Sequence, residues 1–228
     1  MKHEETRMGL DRRKALRYLG MGEPDEAALA RAEETAGALE RRLRPRYLFR
    51  VFALEQGQTG VMLIEAGLTL PGSLARSMLK DCGQAVLLAC TLGAEFDRLL
   101  RYAQARDMAQ AVLLDACGSA YAEYGCDMAQ AEIAARHPGL YLTDRFSPGY
   151  GDLPLSVQPG LLRALDAEKR LGVYAGESFL LNPMKSVTAV IGLSDRPQPA
   201  KIRGCGACCL REKCAYRKRG VTCVSSAC

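Results

Sequence analysis

The spacing of apolar and polar residues changes several times along the chain. Asp11 to Leu19, DRRKALRYL, predicts a short helix closed by Gly20. Glu23-Pro24-Asp25 predicts the start of a second helix, with Pro24 at its first position and acids in its first turn. That helix runs to Leu43 and stops before Pro45, because the residue preceding a proline is pushed out of helical geometry. Arg46–Glu55, RYLFRVFALE, is rich in aromatic and branched residues and predicts a strand. Gly57 to Gly60 form a turn, Val61–Glu65 a partner strand, and Ser73 caps a helix through Lys80.

Gln84–Thr91, QAVLLACT, is a continuous apolar run of strand length, which suits a central strand covered on both faces. A helix follows from Ala94 to Gln104, then a long one from Asp107 to Arg136. The long helix carries Val112, Ala116, Ala120, Tyr121, Ala131 and Ala134 at helical spacing. Gly118 and Gly125 inside it predict the close approach of another group. His137-Pro138-Gly139 ends it. Leu140–Arg145 is a strand, Gln158-Pro159 opens a helix ending at Gly172, and Ser186–Ser194 is a final strand. Asp195–Ala200, with two prolines, is a linker into a tail.

Hairpin-like and crossover-like connections are mixed, which points to an α+β fold. The expected architecture is a central, mostly antiparallel sheet with packed helices over residues 1–200, plus a small cysteine-rich tail over 201–228. No G-x-G-x-x-G follows a strand and no G-x-x-x-x-G-K-[ST] occurs, so the two common nucleotide-phosphate cradles are absent.

Charge separates the two parts. Residues 201–228 hold seven basic residues against the single acid Glu212, a surplus of six in a chain of net charge +5. The remainder is therefore one negative, and Tyr216 is the only aromatic among the tail's basic residues. Neither feature fits a basic nucleic-acid docking face with interleaved aromatics. The charged N-terminus has no apolar run after it, so no signal peptide is expected. The longest apolar stretch, Ala85–Leu92, is too short to span a bilayer. A cytoplasmic protein is expected.

Cysteines divide the same way. Cys82, Cys90, Cys117 and Cys126 sit in apolar patterns and read as small buried hydrophobes with reduced thiols. Six others crowd the tail as C-x2-C-C-x4-C-x8-C and a terminal Cys228. Cys205, Cys208, Cys214 and Cys223 are the candidate metal ligands, since two thiolates in C-x2-C reach one ion. A zinc ribbon would need a second C-x2-C, and three or four thiolates on a short loop also suit an iron–sulfur cluster. A basic, redox-sensitive tail without metal is the competing reading.

The stretch RFSPGYGDLPLSVQ, Arg145–Gln158, is stiffer and more polar than a connection requires. Pro148-Gly149 favours a type II turn, with φ preset at the proline and positive at the glycine. Gly151 lets backbone approach a ligand. Arg145 offers two parallel hydrogen bonds to a carboxylate, and Tyr150 a flat face and a hydroxyl. These residues suit a small zwitterionic ligand with an aromatic part. Equally, Arg145 pairs with a carboxylate such as Asp152 and the loop is only a tight turn.

The order Arg-x-Ser-Pro-Gly-Tyr, then LDAEKRLG, then ESFLLNPMKSVTAVIGLS resembles the reactivation domain of cobalamin-dependent methionine synthase. The resemblance spans Arg145 to Ser194, with a weaker echo, AYAEYGCD, at Ala120–Asp127. The N-terminal LRYLG and the chain length resemble free-standing members of that family. It implies an accessory domain that binds S-adenosylmethionine in a shallow groove and caps the cobalamin of its partner modules. After accidental oxidation of the cobalt, a flavodoxin- or ferredoxin-like donor supplies an electron, and the methyl group of S-adenosylmethionine traps the reduced cobalt. Such a task is one of positioning, and no acid–base device is called for. By resemblance Arg145 meets the methionyl carboxylate, Ser147 gives backbone contacts, and Gly149 with Tyr150 forms the pocket wall. Glu123 is either an acidic partner for the amino group or sulfonium or a solvated helix-face carboxylate. The family's tyrosine-bearing segment after the last strand is replaced here by Asp195-Arg-Pro-Gln-Pro. That departure fits an alternative, a scaffold or assembly protein of corrinoid metabolism that no longer binds the ligand. A metal-sensing regulator is a third reading, for which no DNA-reading helix is evident.

Overall fold

In the computed structural model, residues 9–19, 25–199, 201, 202 and 212 are described. Gly20, Glu23, Pro24 and all six tail cysteines lie outside the described residues. The chain begins with α1 (Arg12–Tyr18) and α2 (Glu26–Arg42). Asp25 caps α2, its side chain accepting from the Ala28 N–H. Next come β1 (Arg46–Gln56), β2 (Gly60–Leu63), β3 (Leu68–Pro71), α3 (Ser73–Leu79) and β4 (Gln84–Thr91). They are followed by α4 (Ala94–Gln104), α5 (Met108–Arg136) and β5 (Tyr141–Leu142). After a 3-10 turn at Leu155–Val157 come α6 (Gln158–Leu165), α7 (Ala167–Leu171), the small hairpin β6 (Tyr174–Ala175) and β7 (Leu181–Asn182), and β8 (Ser186–Ser194).

Six strands form one sheet in the order β3-β2-β1-β4-β8-β5, and every neighbouring pair is antiparallel. The fold is α+β, as the mixed connections predicted. β4 is its centre, and seven of its eight residues are buried. Alternate side chains of an extended strand point to opposite faces. Val86, Leu88 and Cys90 accordingly pack with Cys126, Ala129 and Ile133 of α5, while Ala85, Leu87 and Ala89 pack with Leu161 and Leu165 of α6 on the other face. A third cluster joins α1, α2, α4 and the first half of α5 around Leu16, Leu39, Phe96 and Tyr121.

Both helical glycines of α5 mark close approaches, as their position in the sequence implied. A Cβ on Gly118 would lie 2.3 Å from the Phe96 ring, and one on Gly125 would lie 2.5 Å from Pro45 Cβ and 2.7 Å from Cys90 Sγ. α5 is therefore pressed against β4 and the entry to β1.

Several boundaries differ from the sequence reading; Ser73 is the first residue of α3 and Gly72, not Ser73, stands at its cap. The partner strand is Gly60–Leu63 and not Val61–Glu65, because β3 follows after the turn through Gly67 and pairs with it. The predicted helix from Gln158 to Gly172 is two helices, broken at Asp166 in the left-handed region with φ 54°. Two arginines of β1 reach the carbonyl ends of these helices: Arg50 Nη1 donates to Ala164 O at 2.7 Å and Arg46 Nη2 to Leu171 O at 2.5 Å. Cations at helix C-termini are favoured by the helix dipole. The strand predicted over Leu140–Arg145 is confined to Tyr141–Leu142, with a single bridge at Phe146.

Candidate functional site

The loop after β5 is fixed at three points. Phe146 is fully buried and exchanges two backbone hydrogen bonds with Val190 of β8, at 3.1 and 2.7 Å. Burying a phenylalanine stabilises by about 1.5–3 kcal/mol. Leu153 is the second apolar anchor, buried in the same cluster as Phe146. Between them, the Tyr150 N–H donates to Ser147 O at 3.1 Å, and Gly149 has φ +95°. This is the turn predicted for Ser147-Pro148-Gly149-Tyr150, with the glycine in the region a side chain disfavours. The Leu153 N–H donates to Tyr150 O and the Gly149 N–H to Leu153 O, closing a second turn.

The third point is Asp152. Its carboxylate accepts from the Leu74 N–H at 2.9 Å, the Ser73 N–H at 2.6 Å and the Ser73 hydroxyl at 2.7 Å. Those backbone donors from Leu74 and Ser73, with the Ser73 hydroxyl, hold its pKa down at about 2. Asp152 thus satisfies the orphan donors that open α3, and it is not the partner of Arg145.

Arg145 points to the other face of the sheet, against α5. Its Nη2 donates to Glu123 Oε2 at 2.8 Å and to Asp127 Oδ1 at 2.9 Å, and its Nη1 to Gln130 Oε1 at 3.0 Å. The three acceptors lie on adjacent turns of one α5 face, the spacing at which helical side chains are neighbours. The Arg145 side chain is 4% exposed, Glu123 31% and Asp127 53%, so the cation lies beneath its carboxylates. Burial works to lower the guanidinium's pKa, but Cys126, Asp127 and Glu123 around it outweigh that and raise it. Lys14 of α1 adds a second cation 4.0 Å from Glu123 Oε2.

The structure therefore joins Arg145 and Glu123, two candidate site residues 22 positions apart in separate segments of the sequence. Ser147 is half-buried, while Gly149 and Tyr150 are exposed, the tyrosine at 51%. Asp127, Gln130 and Lys14 were not foreseen. The interval of 123, 127 and 130 on a predicted helix was the available signal for the first two. Two cavities, of about 320 Å³ beside Arg50, Phe52 and Arg163 and about 400 Å³ beside Tyr18, Val112 and Met184, lie away from this loop.

Cys82, Cys90, Cys117 and Cys126 are buried free thiols, as read from their apolar surroundings. Burial pushes the Cys82 and Cys117 thiols up to about 11, which makes them poor nucleophiles. The tail's proposed ligands Cys205, Cys208, Cys214 and Cys223 lie outside the described residues, and among the described residues no cluster fit to hold a metal occurs. The tail leaves from a fixed point: the Lys201 and Ile202 N–H groups donate to Asp144 Oδ2 at 2.7 and 3.0 Å, and Ile202 packs on the core. Among the described residues no helix is long and apolar enough to cross a membrane.

The domain is thus an antiparallel α+β sheet whose long helix and post-β5 loop share a buried, charge-paired arginine. That fold is shared with a solved structure described as the MetH reactivation domain bound to AdoHcy. The two align with a TM-score of 0.64 at 16% identity, over 93% of this chain and 82% of that one. No family model and no curated protein matches the sequence.

Proposed function

We propose that this chain is an accessory subunit for reductive reactivation of a cobalamin-dependent methionine synthase or a related corrinoid methyltransferase. Its own task is to bind S-adenosylmethionine and hold it toward the corrinoid of a partner. The observation that carries this reading is the 2.8 Å pairing of Arg145 with Glu123, which ties the first residue of the Arg-x-Ser-Pro-Gly-Tyr segment to the long-helix echo. The shared fold with a reactivation domain crystallised with AdoHcy supports it. Arg145, Glu123, Ser147, Gly149 and Tyr150 form the ligand site in this proposal, with Gly149 and Tyr150 exposed. The donor set suits the ligand: carboxylates for a sulfonium or ammonium, exposed turn backbone and an aromatic face for a nucleoside.

Cobalamin belongs to the partner modules, and a flavodoxin- or ferredoxin-like protein supplies the electron. We assign residues 201–228 as a separate basic tail in which Cys205, Cys208, Cys214 and Cys223 hold an iron–sulfur cluster or zinc. The tail's surplus of six positive charges favours docking to an acidic electron donor. Iron and zinc analysis of anaerobically purified protein tests this. Neither metal, with a colourless spectrum, would remove the tail from the scheme.

One observation favours the alternative of a non-catalytic scaffold in corrinoid metabolism: Arg145 already gives three hydrogen bonds to side chains of its own chain. Methyl transfer decides between the readings. Corrinoid modules are incubated with S-adenosylmethionine carrying a labelled methyl group, a reductant, and this protein. Label reaching the corrinoid only when the protein is present supports reactivation; equal labelling without it supports the scaffold.

A further inference from the structure

We infer that two copies of this chain pair about a two-fold axis, with the Phe179-Leu180 tip of each β6–β7 hairpin seated in the apolar groove between α1, α4 and α5 of the other. The tip is a knob that its own chain leaves uncovered. Phe179 has φ 63°, a left-handed backbone that is costly for a bulky side chain and suits glycine. Its side chain is nonetheless 38% exposed, and Leu180 is 61% exposed, so burial within the chain does little to offset the strain. Strained positions persist where their surroundings fix them, and they concentrate where function uses them. Here the Gly176 N–H donates to Leu180 O and the Phe179 N–H to Gly176 O, both at 2.9 Å. Val173 and Leu181 root the hairpin in the core. The knob is thus held in one orientation before it meets anything, which lowers the entropy cost of binding.

The same chain carries a hollow to match. Its groove of about 400 Å³ has Leu100 and Ala111 in its walls and exposed Tyr18, Met108, Val112 and Met184 along it. Clefts of this size hold drug-sized molecules, so a phenylalanine and a leucine fit. Among the described residues lining the groove only Asp115 is charged, and it pairs with Lys185 at 2.9 Å, so an apolar tip buries no bare charge. Met184 follows Leu180 by four residues, which puts knob and groove at most about 14 Å of chain apart. A knob and a hollow on one molecule close in a two-fold pair, since each copy gives one and takes one and no free hollow remains to extend a filament. The area agrees. Tyr18, Met108, Val112, Phe179, Leu180 and Met184, each about half exposed, offer on the order of 600 Å² per copy. That is most of the roughly 800 Å² a specific interface buries on each side.

The test is sedimentation equilibrium of the full chain under a thiol reductant, from micromolar to near-millimolar concentration. A reversible monomer–dimer equilibrium is expected. Leu180→Lys in the knob and Val112→Glu in the groove should each weaken it at least about thirtyfold, the effect of placing a charge at a hot spot. Both positions are exposed in the single chain, so the circular dichroism and melting temperature of dilute protein should stay at wild-type values. Mixing the two variants should recover a dimer, because one of its two contacts then joins the introduced ammonium to the introduced carboxylate and the other is native. A chain that stays monomeric throughout, a dimer that both variants leave intact, or variants that stay apart when mixed would overturn the inference.

Discussion

Gly125→Ala is the sharpest perturbation of the frame that carries the site. In a helix interior, alanine is favoured over glycine by about 1 kcal/mol, so propensity alone predicts a more stable protein. The structure predicts the reverse. The new Cβ would lie 2.5 Å from Pro45 Cβ and 2.7 Å from Cys90 Sγ, roughly 1 Å inside ordinary contact with both. Neither neighbour yields easily: one is a proline ring, the other a fully buried side chain on the central strand. Overpacking of this kind costs about 1–3 kcal/mol, and relief requires α5 to lift from β4. The net expectation is destabilisation of about 1–2 kcal/mol after the propensity gain is subtracted. Glu123 and Asp127 flank Gly125 on the same helix, so lifting α5 also draws them from Arg145. Urea unfolding followed by circular dichroism reads the effect as a lowered midpoint at unchanged slope. Repeating it in a Cys90→Ala background should show a coupling of at least about 0.5 kcal/mol, because half of the clash is gone. A Gly125→Ala protein as stable as the wild type, or more stable, would refute the claim that α5 is pressed onto the sheet there.

Other consequences follow from the same geometry. The Asp152 pKa is depressed from 3.8 to about 2, so its contribution to stability is present above about 4 and is lost as pH falls toward 2. Asp152→Asn should lower the melting temperature at neutral pH and flatten its decline across that window; an unchanged acid decline would contradict the capping role. Tyr47 donates to Glu132 Oε2 at 2.7 Å, and that bond with burial raises its pKa to about 12. Ultraviolet titration, read as the difference from Tyr47→Phe, should show that late phenol move down toward 10 in Glu132→Gln, and no movement would contradict the bond.

The central strand was legible because a strand buried on both faces must be apolar at consecutive positions, and Ala85–Leu92 is the longest apolar stretch in the chain. The turn at Ser147–Tyr150 was legible because proline and glycine each permit few backbone states. β3 was not: Leu-Thr-Leu-Pro is short, ends in proline, and becomes a strand only by pairing with β2. The break at Asp166 carries no glycine or proline, and Arg50 reaching from β1 to Ala164 O is a contact invisible in local sequence. At the site, the sequence left Arg145 either to a ligand carboxylate or to a chain carboxylate such as Asp152, and its chain partners are Glu123 and Asp127. Asp152 in fact faces Ser73, 79 positions away, while the carboxylates of Arg145 come from a helix packed on the opposite face.

The central claim is that the loop and long helix together hold S-adenosylmethionine. Calorimetric titration of anaerobically purified protein, beside Arg145→Ala with its fold checked by circular dichroism, tests it most directly. The account predicts saturable one-to-one binding by the wild type and at least tenfold weaker binding by the variant, whose two carboxylates have lost their anchor. No binding by the wild type, or equal binding by a folded variant, would contradict it.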